Sequence, residues 1–97
     1  MEIQLKRTLV TVYLKDDGGV MDQFTTYINL EPFEAAKYYV GNTFTMWYGD
    51  AEYKLKCRSI RCDGVQEYKY GQWHDIQHPD GMAWYKLQGG SIIRTER

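Results

Sequence analysis

The sequence predicts an α+β fold: an antiparallel sheet of six to seven strands, with one short helix at about residues 32–40 packed on it. Two observations support this prediction. Segments that alternate apolar with polar residues are separated by turn signals rich in glycine and aspartate, and a single stretch carries the start and stop residues of a helix. The chain has 97 residues, 43% hydrophobic and 26% charged. This is the size and composition of one folded domain, residues 1–97.

The first two strands are predicted to form a hairpin. Residues 2–15 are rich in apolar and β-branched residues and end at the turn signal Asp16-Asp17-Gly18-Gly19. The apolar residues of the next run share a face with those of the first only if the loop holds an odd number of residues. Three or five residues satisfy this condition, and the turn signal suits a three-residue loop with glycine in the left-handed conformation.

One helix is predicted after the hairpin. Pro32 suits the first helical position, and Gly41 suits the position just past the end. Glu31 and Glu34 lie near the start, where the helix dipole favours negative charge. A helix of about nine residues is marginal alone, so we expect it to dock on the sheet.

A meander is predicted from residue 43 onward, with turns at Gly49-Asp50 and at Asp63-Gly64. Two-residue loops would place Met46 opposite Tyr53, Phe44 opposite Leu55 and Cys57 opposite Tyr70. One face is then apolar. The other face combines basic residues with a tryptophan, namely Trp47, Lys54, Lys56, Arg58 and Lys69.

A second hairpin is predicted around Pro79-Asp80-Gly81, followed by a turn at Gly89-Gly90 into a last strand. A three-residue loop would pair Ile76 with Trp84, and Asp75 with Tyr85. Trp73 and Tyr85 would share one face of this hairpin, with Trp84 on the other. A hairpin at a sheet edge cannot easily bury both faces, so it either folds over the core or exposes aromatic surface to a partner.

The two cysteines and two histidines come close to the spacing of a zinc finger, as Cys57, Cys62, His74 and His78. In an extended strand, however, the cysteines would point to opposite faces about 16 Å apart. The histidines lie in a segment that is predicted to be a strand, whereas a finger needs them on a helix. We therefore expect neither a metal site nor a disulfide. Because no nucleophile elbow, phosphate-binding glycine loop or paired-carboxylate pattern occurs, we expect no enzyme activity and no cofactor.

The chain is expected to be cytoplasmic with no membrane partner. No apolar run reaches the roughly 18 residues that span a bilayer, and the first residues lack a secretory apolar region. Both thiols would then be reduced.

Binding to a macromolecule is the function that the sequence favours. Positive charge beside an aromatic ring is the chemistry of phosphate backbones and stacked bases, and equally of docking on an acidic protein. The formal net charge of −1 argues against a DNA-coating protein but allows a local basic patch. A solvated face on which lysines prevent aggregation is the ordinary alternative. The candidate binding residues are Trp47, Lys54, Lys56, Arg58, Lys69, Trp73, Trp84 and Tyr85.

The expected partner is a host protein or ribonucleoprotein whose surface the chain occupies, and two alternatives stay open. The first alternative is nucleic acid, bound through the basic and aromatic face. The second alternative is a small molecule bound among the nine tyrosines, in a homodimer.

The segment YINLEPFEAAKYYVGNTFTM, residues 27–46, resembles a pattern in small bacteriophage proteins: a strand, then Pro-x-Glu-Ala-Ala-x-Tyr-Tyr, a glycine and a further strand. The resemblance covers 20 of the 97 residues. It implies an accessory protein that binds a host factor in the host cytoplasm, such as an inhibitor of antiviral defence of the anti-CRISPR kind. It implies no site residue.

Overall fold

The computed structural model describes residues 5–95, which form one antiparallel sheet of seven strands and one α-helix. The predicted fold class is confirmed, and the predicted helix ends one residue earlier than expected. The elements are β1 (Leu5–Lys15), β2 (Met21–Ile28), α1 (Pro32–Tyr39), β3 (Thr43–Tyr48), β4 (Ala51–Lys69), β5 (Gln72–Ile76), β6 (Trp84–Gln88) and β7 (Ser91–Thr95).

The long strand β4 organises the sheet. Its 19 residues pair with β1 along one edge, whereas β3, β6 and β5 follow one another along the other edge. The two edges can be told apart at Ile60, which lies opposite both Val12 of β1 and Tyr85 of β6. β2 extends the sheet beyond β1, and β7 extends it beyond β6.

The first hairpin has the predicted odd loop. Lys15 lies opposite Met21, which leaves five residues between them. The first and last of the five, Asp16 and Val20, are bonded to each other: the Asp16 N–H donates to the Val20 carbonyl at 2.9 Å, and the Val20 N–H donates to the Asp16 carboxylate at 2.7 Å. The remaining three residues, 17–19, form the tip.

Asp63-Gly64 does not form the predicted turn. β4 runs straight through it as a bulge, because Cys62 lies opposite Val10 while Val65 lies opposite Thr8. Two residues of β4 therefore occupy the space opposite a single residue of β1, and Gly64 accommodates this with a φ of 131°. The hairpin turn lies instead at Tyr70-Gly71, so the predicted pairing of Cys57 with Tyr70 is wrong.

The predicted pairing of β5 with β6 is also wrong, because both strands pair with β4. Ile76 lies opposite Val65, and Trp84 lies opposite Arg61. The β4 edge offers hydrogen-bonding groups along its whole length, and the two short strands occupy successive parts of it. As a consequence Trp73 and Trp84 point to the same face of the sheet, which reverses the prediction.

The hydrophobic core lies between α1 and one face of the sheet. Ala35 and Ala36 of the helix are fully buried, so their small side chains let the helix approach the strands closely. Cys57 and Cys62 both lie in this core, which corrects the expectation of opposite faces. A register shift between them, opposite Tyr13 and Leu14, changes the alternation by one residue. Neither Cys57 nor Cys62 forms a disulfide.

Candidate functional site

The face of the sheet opposite α1, here called the open face, carries most of the features that could bind a partner. Alternation along β1 places Val10, Val12 and Leu14 in the core and therefore the odd-numbered residues on the open face. Residues that lie directly opposite each other in neighbouring strands point to the same face, so the strand pairings assign a face to the residues of the other strands as well. The open face includes Arg7, Thr11, Tyr13, Lys15, Met21, Gln23, Thr25, Tyr27, Trp47, Glu52, Lys54, Lys56, Arg61, Asp63, Gln66, Tyr68, Trp73, Asp75, Trp84 and Lys86.

At one end of the open face an arginine lies between two aromatic rings. The Arg7 guanidinium carbon is 3.9 Å from the centroid of the Tyr27 ring and 4.1 Å from that of Trp73. Its Nε donates to the Gln66 side-chain oxygen at 2.9 Å. Gln66 in turn donates to the Asp75 carboxylate at 2.8 Å. Cation–π contacts and hydrogen bonds together fix the orientation of both rings.

In the middle of the open face two rings stack. The centroids of Tyr13 and Trp84 are 5.5 Å apart, with 13° between the ring planes. Arg61 lies next to this pair, with its guanidinium carbon 5.8 Å from the Trp84 centroid. Its Nε donates to the Asp63 carboxylate at 2.8 Å, and Thr11 donates to the same carboxylate at 2.9 Å. The two stacked rings therefore lie beside an arginine that is bonded to Asp63.

Lysines differ sharply between the two sides of the molecule. On the helix side each described lysine has an acidic partner: Lys6 with Glu31, Lys37 with Glu34 and Lys69 with Glu67. On the open face no described residue forms an ion pair or hydrogen bond with the ammonium group of any lysine, that is Lys15, Lys54, Lys56 or Lys86.

Two of these unpaired lysines also lie side by side. Lys15 is directly opposite Lys56 in the register of β1 and β4. Like charges in this position destabilise a sheet. The open face therefore keeps a positive charge that the described part of the chain does not neutralise, and an anionic partner would relieve the repulsion.

A cavity of about 400 Å³ opens at the end of the first hairpin. Tyr13, Lys15, Met21 and Gln23 line it from the open face, together with Arg58 from β4. Leu14 and Asp22 complete the lining. The cavity thus combines two cations with an aromatic ring and an exposed thioether.

Six of the eight sequence-predicted binding residues lie together on or beside the open face. Trp47, Lys54, Lys56, Trp73 and Trp84 point to it, and Arg58 borders the cavity. Trp47 has 63% of its surface exposed.

The other two lie elsewhere. Lys69 points to the helix side, because the bulge at residues 63–64 shifts the alternation, and its ammonium group is 2.9 Å from the Glu67 carboxylate. Tyr85 is a core residue with only 1% of its surface exposed, and its ring is 6.0 Å from that of Phe33. Burial raises the pKa of its hydroxyl to about 12.

Sequence reasoning missed the contribution of β1 and β2 to the open face. Arg7, Tyr13 and Lys15 occupy alternate positions with respect to the core valines, so strict alternation along residues 7–15 was the available signal. Tyr27 could be found only through the register of the hairpin. The position of Arg61 on the open face could not be predicted from alternation, because the residue lies between two register shifts of β4.

The histidines and cysteines do not form a common site. His74 Nε2 lies 3.2 Å from the Lys69 carbonyl, whereas His78 Nε2 lies 3.3 Å from the Glu31 carboxylate. Within residues 5–95, no group of three or more histidine, cysteine, aspartate or glutamate side chains is placed to hold a metal ion. The one helix within the same range is too short and too polar to cross a membrane.

Comparison of the chain with protein-family models, with curated proteins and with solved structures gave no match. The resemblance of residues 27–46 to bacteriophage proteins therefore stays a prediction.

Proposed function

We propose that this protein binds single-stranded nucleic acid on the open face of its sheet. The observation that carries the proposal is the gathering of four lysines without acidic partners on the face that also holds Tyr13, Trp73 and Trp84. Lysine and arginine neutralise phosphates, and aromatic rings stack on bases. Tyr13, Trp73 and Trp84 are half-buried, and Trp47 on the same face is exposed.

The lysines favour nucleic acid over a protein partner. Lysine is depleted in the contact surfaces between proteins, whereas interfaces with nucleic acid are much more positively charged than interfaces between proteins. Six basic residues lie on the open face against three acidic ones, and two of the acidic ones, Asp63 and Asp75, already accept hydrogen bonds from neighbouring side chains. The overall net charge of −1 is compatible with this because the charges are segregated between the two sides.

The shape of the surface favours a single strand. A sheet face presents rings side by side, and bases can stack on such rings only when they are not paired. Trp47 is the most exposed tryptophan of this face, and it lies on the same side of β3 and β4 as Lys54. DNA and RNA share the phosphates and the base faces, so both are candidates.

The test uses fluorescence anisotropy of labelled random-sequence oligonucleotides, single-stranded DNA and single-stranded RNA, over a series of salt concentrations. The double variant Lys54→Gln, Lys56→Gln should bind about ten-fold more weakly, and the slope of log affinity against log salt should fall by about 0.7 for each lost phosphate contact. The control is Lys37→Gln, which removes a paired lysine from the helix and should leave affinity unchanged. Absence of binding at low salt, or equal losses in both variants, would refute the proposal.

A protein partner is the second candidate, and one residue favours it. Tyr70 is 96% exposed and has a φ of 53°, a conformation that tyrosine rarely adopts. An exposed ring held under backbone strain at a hairpin tip is typical of contact sites. If the tip contacts a host protein, Tyr70→Asn should abolish capture of that protein while leaving oligonucleotide affinity unchanged. Retention of the partner by the variant would exclude the tip as the contact.

A further inference from the structure

We infer that the cavity at the end of the first hairpin seats one nucleotide of a bound strand, with its phosphate between Lys15 and Arg58 and its base against Tyr13. This inference rests on the proposed function and names a site within it.

The two cationic side chains of the cavity, Arg58 and Lys15, have no strong ion pair with another described residue. Arg58 has one acidic neighbour, Asp17, at 3.7 Å, and the Asp17 side chain is fully exposed in the hairpin loop. An ion pair of this kind contributes little in water. Lys15 has no ion-pair partner in residues 5–95, and Lys56 lies directly opposite it. Arg58 and Lys15 are therefore available to a phosphate group, which a guanidinium can bind through two parallel hydrogen bonds.

The acidic residue of the lining is engaged. Asp22 accepts a hydrogen bond from the Gln23 N–H at 2.7 Å and one from the Tyr48 hydroxyl at 2.6 Å, one at each carboxylate oxygen. These two bonds hold the pKa of Asp22 below its usual value. Alternation along β2 directs the Asp22 side chain toward the helix side, away from the open face. The repulsion between the Asp22 carboxylate and an anion bound in the cavity is therefore weakened.

The rest of the cavity suits a flat organic group. Tyr13 is held by its stack on Trp84, and Met21 has 70% of its surface exposed. An exposed thioether beside an ordered ring is an adaptable apolar surface. The volume of about 400 Å³ lies in the range of small-molecule sites, roughly 300–1,000 Å³. A site for a simple anion would need neither the volume nor the ring.

The experiment follows backbone amide signals of the full chain by NMR during four separate titrations: a single-stranded oligonucleotide, a nucleoside 5′-monophosphate, the nucleoside without phosphate, and inorganic phosphate. We expect the amides of Tyr13, Lys15, Gln23 and Arg58 to shift with the oligonucleotide and with the monophosphate. The nucleoside and inorganic phosphate should each cause smaller shifts. Shifts of equal size with the bare nucleoside, or with inorganic phosphate, would overturn the assignment of a nucleotide.

Variants separate this site from the rest of the open face. Lys15→Gln with Arg58→Gln should weaken oligonucleotide binding at least ten-fold, and Arg58→Lys should lose only part of that affinity because it keeps the charge. All three changes are at the surface, and unchanged thermal midpoints will show that the variants fold.

The outcomes distinguish the two proposals. If the Lys54 and Lys56 variant loses affinity while the Lys15 and Arg58 variant does not, the cavity is not used and the proposed function stands. If the monophosphate binds but no oligonucleotide does, the proposed function is wrong. The inference that the cavity binds one nucleotide of a strand is then also wrong.

Discussion

The guanidinium carbon of Arg7 lies 4.1 Å from the centroid of the Trp73 ring, which joins β1 to β5 although the two strands lie on opposite edges of β4. The Tyr27 ring of β2 lies on the other side of the same guanidinium, at 3.9 Å. Backbone pairing links each strand only to its neighbours. A single side chain therefore links β2, β1 and β5 over the surface of β4.

Replacing Arg7 by lysine should lower the free energy of unfolding by about 1–2 kcal/mol, because an ammonium group cannot lie flat between two rings or keep the bond from Nε to Gln66. Urea unfolding followed by tryptophan fluorescence measures the change. The control is Arg58→Lys at an exposed position without an aromatic contact, where a change within about 0.5 kcal/mol is expected. Equal midpoints for the Arg7 variant and the unmodified protein would show that the two rings do not depend on the guanidinium.

Replacing Tyr70 by asparagine should stabilise the protein by about 1 kcal/mol. Tyr70 and Gly71 form a two-residue hairpin loop in which both φ angles are positive, 53° and 79°. Asparagine before glycine is the preferred pair in such a loop, whereas the tyrosine side chain strains it. The matched control makes the same substitution at Tyr68, which lies in regular strand with its ring 5.3 Å from Trp73 and should lose stability. Destabilisation by the Tyr70 variant would mean that its ring makes contacts that outweigh the strain.

Stability should decline at alkaline pH because of Cys57. Burial raises the pKa of this thiol to about 11, from an ordinary value of 9.0 in an exposed chain. A thiol with a raised pKa in the folded state contributes its full stability below pH 9 and loses it between pH 9 and 11, where only the unfolded chain ionises. The free energy of unfolding should therefore fall with a slope of at most about 1.4 kcal/mol per pH unit in that range.

The measurement is urea unfolding at a series of pH values from 7 to 11, because the pKa of Cys57 in the folded protein is about 11. Cys57→Ala is the control: it loses stability through the small cavity that it leaves, but its profile should be flatter above pH 9. A thiol reagent at pH 8 should leave Cys57 unmodified in the folded protein and modify it after denaturation. A profile that does not change with the substitution would assign the alkaline loss to other groups, such as the Tyr48 and Tyr85 hydroxyls, whose pKa values are raised to about 12.

The sequence allowed the helix and most strands to be predicted, whereas several strand pairings between distant parts of the chain were predicted wrongly. Gly49-Asp50 and Asp63-Gly64 have the same turn chemistry, yet only the first forms a hairpin loop. At Asp63 the carboxylate accepts hydrogen bonds from Thr11 of β1 and from Arg61, which keeps the chain in the sheet. No local pattern reveals that β1 will pair on both sides of this dipeptide.

The missed bulge explains one misplaced site residue, Lys69, and the wrong pairing of β5 with β6 explains the other, Tyr85. Passing through a bulge instead of a turn moves Lys69 to the helix side. The positions of Trp47, Lys54 and Lys56 did not depend on it, because they precede the bulge and the two-residue loop at Gly49-Asp50 fixes their register. Six strands contribute side chains to the open face. The contacts of Arg7 and Tyr13 join residues of different strands, so they depend on strand pairings that local sequence does not reveal.

Replacing Tyr48 by phenylalanine should raise the pKa of Asp22 toward its ordinary value of 3.8. The Tyr48 hydroxyl donates to the Asp22 carboxylate at 2.6 Å, and this bond is the main reason that the pKa of the carboxyl is low. The same bond raises the pKa of the Tyr48 hydroxyl to about 12. A carboxyl with a lowered pKa in the folded state stabilises the protein above its ordinary pKa and loses that contribution as the pH falls below it.

The carboxyl carbon shift of Asp22, followed by NMR from neutral to acid pH, reports this pKa directly. Tyr53→Phe is the matched control, because the Tyr53 ring lies 5.3 Å from that of Tyr48 and its hydroxyl does not bond to Asp22. The Tyr48 variant should show a raised midpoint and less loss of stability in acid, and the Tyr53 variant should show neither. If both variants leave the midpoint where it is, Gln23 alone holds the carboxylate. The link between β3 and β2 across the helix side of the sheet would then not exist in solution.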